Sequence, residues 1–236
     1  ELVCEFPEMI NKYYEPFLVR VAVLATLCPG NALATDNFPP LIEIFKELKD
    51  DPEKVKDWYS ERWKVAHGEK KREGYEQIKA SYNNCPNGAD LLFLCRACYG
   101  GVVRFRKYDG YMSTPCGAHE PITPDSFSTR VDCWHERVKG TTFKLMDYRE
   151  AMREARAGDM VYCDPPYMHS QPILYGGQGF ELTELIEEIE ACKKRGVNIA
   201  LSIDGTKKSG DVVCALPIPK GLFVEEIYVN LGRSML

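Results

Sequence analysis

No run of apolar residues in this 236-residue chain approaches the roughly 20 that a membrane-spanning helix needs. Nor does it open on a basic stretch followed by an apolar core and a small-residue cleavage site. Both absences predict a soluble, intracellular chain, cytoplasmic in placement. Internal repeats and low-complexity tracts are also lacking, which excludes a solenoid or a linker-joined array. Cys95-x-x-Cys98 has no second Cys-x-x-Cys and no His-x-x-x-His beside it, and Cys133-x-His135 is the nearest half-site. The expectation is no metal, with most of the ten cysteines reduced and buried. Ser170 and Ser202 lack the His and Asp partners of a hydrolase. The loop Tyr175-Gly176-Gly177-Gln178-Gly179 lacks the lysine of a phosphate-cradling motif and reads instead as a lid. A net charge of -5 argues against a protein that coats nucleic acid indiscriminately.

What is present is a core-forming composition, 44% hydrophobic, and an uneven charge distribution. Residues 51–130 hold 13 Lys and Arg against 11 Asp and Glu, so the middle is positive within an acidic chain. Apolar spacing predicts strands at Tyr13 to Leu18, Asn31 to Thr35, Thr142 to Met146, Met160 to Cys163, Asn198 to Ile203 and Phe223 to Asn230. Helices are predicted over Val21 to Leu27, Asn37 to Leu48, Tyr148 to Ala157 and Leu182 to Arg195, the last capped by Gly196. This alternation implies an α/β fold with a mostly parallel sheet and helices on both faces. Ligands bind such sheets at the carboxyl ends of their strands. Residues 51–82 are polar and helix-compatible, and Asp109-Gly110 between β-prone residues predicts a hairpin closed by a two-residue turn.

The chemistry concentrates at Asp164-Pro165-Pro166-Tyr167, directly after the apolar strand 160–163. A carboxylate and the carbonyl of Pro165 can accept both hydrogens of a nucleobase amine, drawing its lone pair out of ring conjugation, while Tyr167 stacks on the base. The nitrogen is then free to attack a sulfonium methyl in line. The bland alternative is a strand exit whose Asp caps a helix and whose prolines stiffen the chain.

Together these segments resemble the Dam-type family of DNA adenine N6-methyltransferases. Tyr13-Tyr14-Glu15-Pro16-Phe17 is similar to that family's first cofactor motif, Thr35-Asp36-Asn37 to its second, and Phe143-x-x-x-Asp147-Tyr148 to the segment before the tetrapeptide. Residues 89–117 are similar to its Gly-x-x-Arg stretch and hairpin, and Ala200 to Asp204 also match. The resemblance implies a Rossmann-like, doubly wound class I methyltransferase fold and S-adenosylmethionine as cofactor. It implies double-stranded DNA as partner, a flipped target base, and a nucleoid-associated place in a prokaryotic cell. It assigns Asp164, Pro165, Pro166 and Tyr167 to catalysis. Asp36 inherits the ribose hydroxyls and Asp147 and Tyr148 the cofactor adenine, with Glu15, Pro16, Phe17 and Asn37 lining the rest. Without the resemblance, Asp36 ranks first as a helix cap.

Two departures qualify this. The family continues its first motif as Phe-x-Gly-x-Gly, whereas Val19 and Val21 hold the glycine positions here. A β-branched side chain is poorly suited to positive φ and is expected to project into cofactor space. The family's opening Lys-Tyr-x-Gly-Gly-Lys type segment is also missing, and both ends are expected to lie inside a longer chain. The alternatives left open are a catalytically weakened or inactive methyltransferase-like DNA-binding protein and an amino-methyltransferase acting on cytosine N4, RNA or a protein amide.

The expected organisation is a catalytic domain at 1–50 and 131–236, with 51–130 inserted as the target-recognition region. Arg104, Arg106 and Lys107, interleaved with Phe105, Tyr108 and Tyr111, are the expected DNA contacts, Arg104 and Arg106 on one strand face. Lys70-Lys71-Arg72 reads as a solvated helix face. His169 and Gln171 read as exposed loop residues or aids to holding the base.

Overall fold

A computed structural model describes residues 2–18, 21–166, 180–203 and 218–227. Val19, Tyr167, His169, Ser170, Gln171, the expected 175–179 lid and Asp204 lie outside them.

Five strands form one parallel sheet: β1 (Tyr13–Glu15), β2 (Ala32–Asp36), β3 (Thr141–Leu145), β4 (Met160–Cys163) and β5 (Asn198–Leu201). Their order across the sheet is β3-β2-β1-β4-β5, every neighbour parallel. The chain winds outward from β1 through β2 to β3, then returns to the far side of β1 for β4 and β5. The order therefore reverses between β1 and β4, the position at which open α/β sheets bind ligands outside the carboxyl ends of their strands.

Alternation along each strand sorts the core into two layers. Tyr13, Ala32, Ala34, Met160 and Tyr162 face one side, in one cluster with α1 (Ala22–Leu27), α2 (Pro39–Asp50), α3 (Pro52–Val65), α4 (Lys71–Asn84), α5 (Gly88–Ala97) and α6 (Pro124–Val138). Tyr14, Leu33, Val161 and Cys163 face the other, under α7 (Tyr148–Glu154) and α8 (Leu182–Lys194). Residues 51–130 share the first cluster through Tyr59, Tyr75, Phe93, Phe105 and Met112, so one continuous apolar layer joins them to the sheet.

Helix starts follow local chemistry. Asp51, Asn87 and Thr123 accept the amides of Lys54, Asp90 and Ser126, and prolines open α2, α3 and α6, where a missing N–H costs nothing. Gly196 ends α8 at φ 77°, the left-handed conformation predicted for it.

Two expectations need correction. Phe223 to Ile227 form no strand among the described residues; Val224 is fully exposed and pairs with no neighbour in the sheet. The hairpin forms, with Phe105 opposite Met112, but a loop of residues 107–110 closes it rather than a two-residue turn. The Arg106 N–H donates to the Tyr111 carbonyl at 2.9 Å and the Gly110 N–H to the Arg106 carbonyl at 2.9 Å. Only Gly110 takes positive φ, while the Asp109 side chain accepts the Tyr111 amide instead of adopting the second left-handed position that the tighter turn requires.

Candidate active site at the crest of β1 and β4

Asp164, Pro165 and Pro166 follow β4 at the point where the strand order reverses. Asp164 is half-buried and Pro165 buried. Next to them β1 ends in Glu15, Pro16 and Phe17. Glu15 is 2% exposed; the Tyr13 hydroxyl donates to its Oε2 at 2.7 Å and the Leu24 amide to the same oxygen at 3.2 Å. Burial pushes the Glu15 carboxyl up to about 7 against these two donors, and the charge of nearby Asp164 raises it further. Tyr13 and Glu15 meet because residues two apart share a strand face, a partnership the sequence reading did not assign.

Phe17, Tyr148 and Phe180 form an aromatic group on the other face. Phe17 stacks on Tyr148 with ring centres 5.0 Å apart, and Phe180 meets both edge-on at 5.8 and 6.0 Å. The Tyr148 hydroxyl is buried and has no hydrogen-bond partner among the described residues. Nothing in the spacing signals Phe180, which stands just before α8.

The Asp36 carboxylate ends β2 and ties two loops together. Its Oδ2 accepts the Leu18 amide at 3.2 Å and its Oδ1 the Phe38 amide at 2.9 Å, just ahead of α2. Burial holds its carboxyl above the usual range. At the start of α7, Asp147 accepts the Arg149 amide at 2.9 Å and pairs with the Arg149 guanidinium at 2.8 Å, which holds its carboxyl below the usual range. The Asp36 carbonyl accepts the Met146 amide at 3.0 Å, joining the β2 and β3 ends. An open cavity of about 280 Å³ lies there, lined by Asn37, Leu145, Met146, Asp147 and Glu150. The expected cofactor residues thus fall into two neighbouring groups: Asn37 and Asp147 on this cavity, Phe17 and Tyr148 in the aromatic stack.

Val21, at one of the two glycine positions of the family's motif, takes φ 53°, ψ 16°, the left-handed region that favours glycine. This is a rare conformation for a β-branched residue, costing on the order of 1–3 kcal/mol. Its side chain does not reach open space; it is 1% exposed and packs with Leu18 and Leu24 in the core.

On the hairpin the three expected cations differ. Arg104 and Lys107 are exposed. Arg106 is half-buried, ion-paired to Asp109 at 2.8 Å and laid over the Tyr111 ring at 4.0 Å. Tyr108 at the tip is 80% exposed. In the 70–72 cluster, Lys71 turns inward to the Ala118 carbonyl at 2.9 Å, a structural tie. Among the described residues no group of His, Cys, Asp or Glu could hold a metal, and no helix is long and apolar enough to cross a membrane. Cys133 is exposed, and the His135 ring bonds the Leu48 carbonyl.

Residues 1–220 match the profile of the D12 class N6 adenine-specific DNA methyltransferases. The chain is 25% identical over 214 residues to the type II methyltransferase M1.LlaDCHI of Lactococcus lactis subsp. cremoris, covering 83% of this chain and 73% of that protein. It is 26% identical over 201 residues to a DNA adenine methylase of Vibrio cholerae, covering 80% and 70%. The retron Ec67 DNA adenine methylase of Escherichia coli is 29% identical over 160 residues, 65% of this chain and 54% of that protein.

Proposed function

The chain belongs to the D12 class N6 adenine-specific DNA methyltransferase family, and from that premise we propose that it transfers a methyl group from S-adenosylmethionine to N6 of an adenine flipped out of duplex DNA. The observation that carries the reading is the position of Asp164-Pro165-Pro166 at the carboxyl end of β4, beside β1, where the strand order reverses.

In this reading Asp164 and the Pro165 carbonyl accept the two hydrogens of the adenine amine, so the nitrogen lone pair leaves the ring and points at the methyl to be received. Tyr167 stacks on the base. Catalysis is positioning and electrostatics, with the carboxylate placed where positive charge develops on nitrogen. S-adenosylmethionine would supply the electrophilic methyl on a sulfonium. The buried Tyr148 hydroxyl, unpaired among the described residues, beside the Phe17 ring and one residue from Asp147 of the cavity with Asn37, fits a ligand that brings both an aromatic face and hydrogen-bonding groups. Asp36 serves its ribose hydroxyls once an amide partner is exchanged, and Glu15 and Pro16 hold the turn that lines it. Residues 1–50 and 131–236 carry the chemistry, and 51–130 carries target recognition, with Arg104 and Lys107 on phosphates.

The test is transfer of isotope-labelled methyl from S-adenosylmethionine to mixed-sequence duplex DNA, followed by nucleoside mass spectrometry. Labelled N6-methyladenine is expected; label on cytosine overturns the base assignment. Absence of label with retained DNA binding supports a second reading, a chain with weakened turnover. One observation favours it, the strained Val21 in the turn beside the site. Val21→Gly then raises methyl transfer; no change sinks that reading.

A further inference from the structure

Two cysteines that serve no part of this chemistry face each other across an antiparallel bridge at the root of the hairpin. Cys98 stands opposite Cys116, the only other bridge in this segment pairing Phe105 with Met112. The hydrogen bonds around the cysteines define the geometry. The Tyr99 amide donates to the Pro115 carbonyl at 2.9 Å and the Gly117 amide to the Ala97 carbonyl at 2.8 Å, so the bonds flank the pair and neither cysteine bonds the other. Cα atoms of such a non-hydrogen-bonded pair lie about 4.5 Å apart with side chains close, within the roughly 4.4–6.8 Å that a disulfide spans. The approach is enforced: a Cβ at Gly117 would stand 2.8 Å from the Cys98 carbonyl oxygen and 2.9 Å from that of Ala97, so only glycine lets the two segments pack this closely.

We propose that Cys98 and Cys116 are a dithiol oxidation site, closed to a disulfide by a peroxide, that staples the root of the 102–114 hairpin. Cys116 is half-buried and reachable from solvent, whereas Cys98 is buried behind it. This sets the order of events. The Cys116 sulfur attacks the peroxide O–O bond and becomes a sulfenic acid, releasing one water; the Cys98 sulfur then displaces the hydroxyl as a second water. The two thiols lose two electrons and two protons, and the peroxide takes both up. Burial raises both thiols, Cys98 to about 11, while Lys71 and Arg72 beside Cys116 act in the opposite direction. Attack therefore begins at Cys116 and quickens with rising pH. Cys95, one helical turn before Cys98 at the end of α5, is the competing thiol.

Once formed, the bond ties the arm leading into Arg104 to the arm leaving Ser113, and hairpin opening then requires reduction. The site stands or falls independently of the DNA reading, since its readouts need neither DNA nor methyl donor. Folded, reduced protein is treated with one equivalent of hydrogen peroxide, unfolded in an alkylating agent, digested and weighed. A linked peptide pair containing Cys98 and Cys116, lighter by two hydrogens, is expected in the wild type and in Cys95→Ser, and is lost in Cys116→Ser. Amide exchange at Tyr99 and Gly117 should slow on oxidation and recover with dithiothreitol. A sulfinic acid on Cys116 without linkage, or linkage through Cys95, would overturn the assignment.

Discussion

The crest of the sheet and the hairpin both carry charges that the proposed function uses, but they hold them differently. At the crest, Glu15 is buried and Asp36 half-buried, and each carboxylate is bound by a backbone amide or by the Tyr13 hydroxyl. Their ionisation is therefore coupled to folding, and changing either one disturbs the turn that shapes the site. On the hairpin, Arg104 and Lys107 stand in solvent, and Arg106 pairs with Asp109 three residues away and lies over the Tyr111 ring. Charges there are changed with little cost to the fold. Mutations at the crest mix stability with activity, whereas those on the hairpin separate them.

Asp164 breaks this pattern most sharply and carries the largest expected effect. It is at the crest and half-buried, unlike the fully buried Glu15, and it follows β4 rather than closing a turn with α1 or α2. Asp164→Asn keeps its size and removes the carboxylate proposed to polarise the amine, so the methyl-transfer rate should fall by about 10²–10³. The thermal midpoint should change little. Both are read in the labelled-methyl assay and a melting curve, and a rate loss below tenfold would remove the proposed role.

Glu15 tests the coupling of charge to fold. Its folded value of about 7 lies above the ordinary 4.5, so the folded state holds the proton more tightly than the unfolded chain does. Its favourable contribution is complete below pH 4.5 and is lost as pH rises through about 7. On the order of 3 kcal/mol of stability should disappear across that window, at about 1.4 kcal/mol per pH unit. Urea unfolding at successive pH values measures it, and Glu15→Gln should flatten this part of the profile.

These two residues also show what the sequence makes legible. The placement of Asp164 at a strand exit was readable because an apolar run gives way there to a carboxylate and two prolines, which cannot continue a central strand. The five sheet strands were readable because apolar residues saturate both faces of a parallel sheet, and Met160–Cys163 matches to the residue. The hydroxyl that holds Glu15 was hidden, since any strand places residues two apart on one face and most such pairs are only packing. The hairpin turn was misjudged because Asp109 had two ways to satisfy the backbone, and the sequence does not rank them. The Phe17, Tyr148 and Phe180 stack joins three elements distant in the chain, a contact that only the sheet topology creates.

Arg104 sharpens the comparison from the other side. Arg104→Ala should leave the unfolding midpoint unchanged, weaken duplex binding similarly for all sequences, and make the salt dependence shallower by about one unit, as loss of one phosphate contact does. Fluorescence anisotropy with several duplexes at several salt concentrations measures the two binding effects, and an unfolding curve the midpoint. A change in sequence preference would instead place Arg104 on a base edge.

The smallest effect belongs to the Arg106–Asp109 pair, and its sign is the informative part. The pair is partly exposed, with both side chains about 38% accessible, so it stabilises the hairpin by no more than about 1 kcal/mol. Asp109→Asn keeps an oxygen that can accept the Tyr111 amide but removes the negative charge from the tip. Arg106 would remain over the Tyr111 ring, 4.0 Å from its centre, with its guanidinium released from the carboxylate. If the hairpin meets phosphates, DNA affinity should rise a few-fold and its salt dependence steepen, because a repelling charge is gone and a held cation is freed. Unchanged affinity in the same anisotropy titration would make Arg106 a brace for the turn and leave Arg104 and Lys107 to meet DNA.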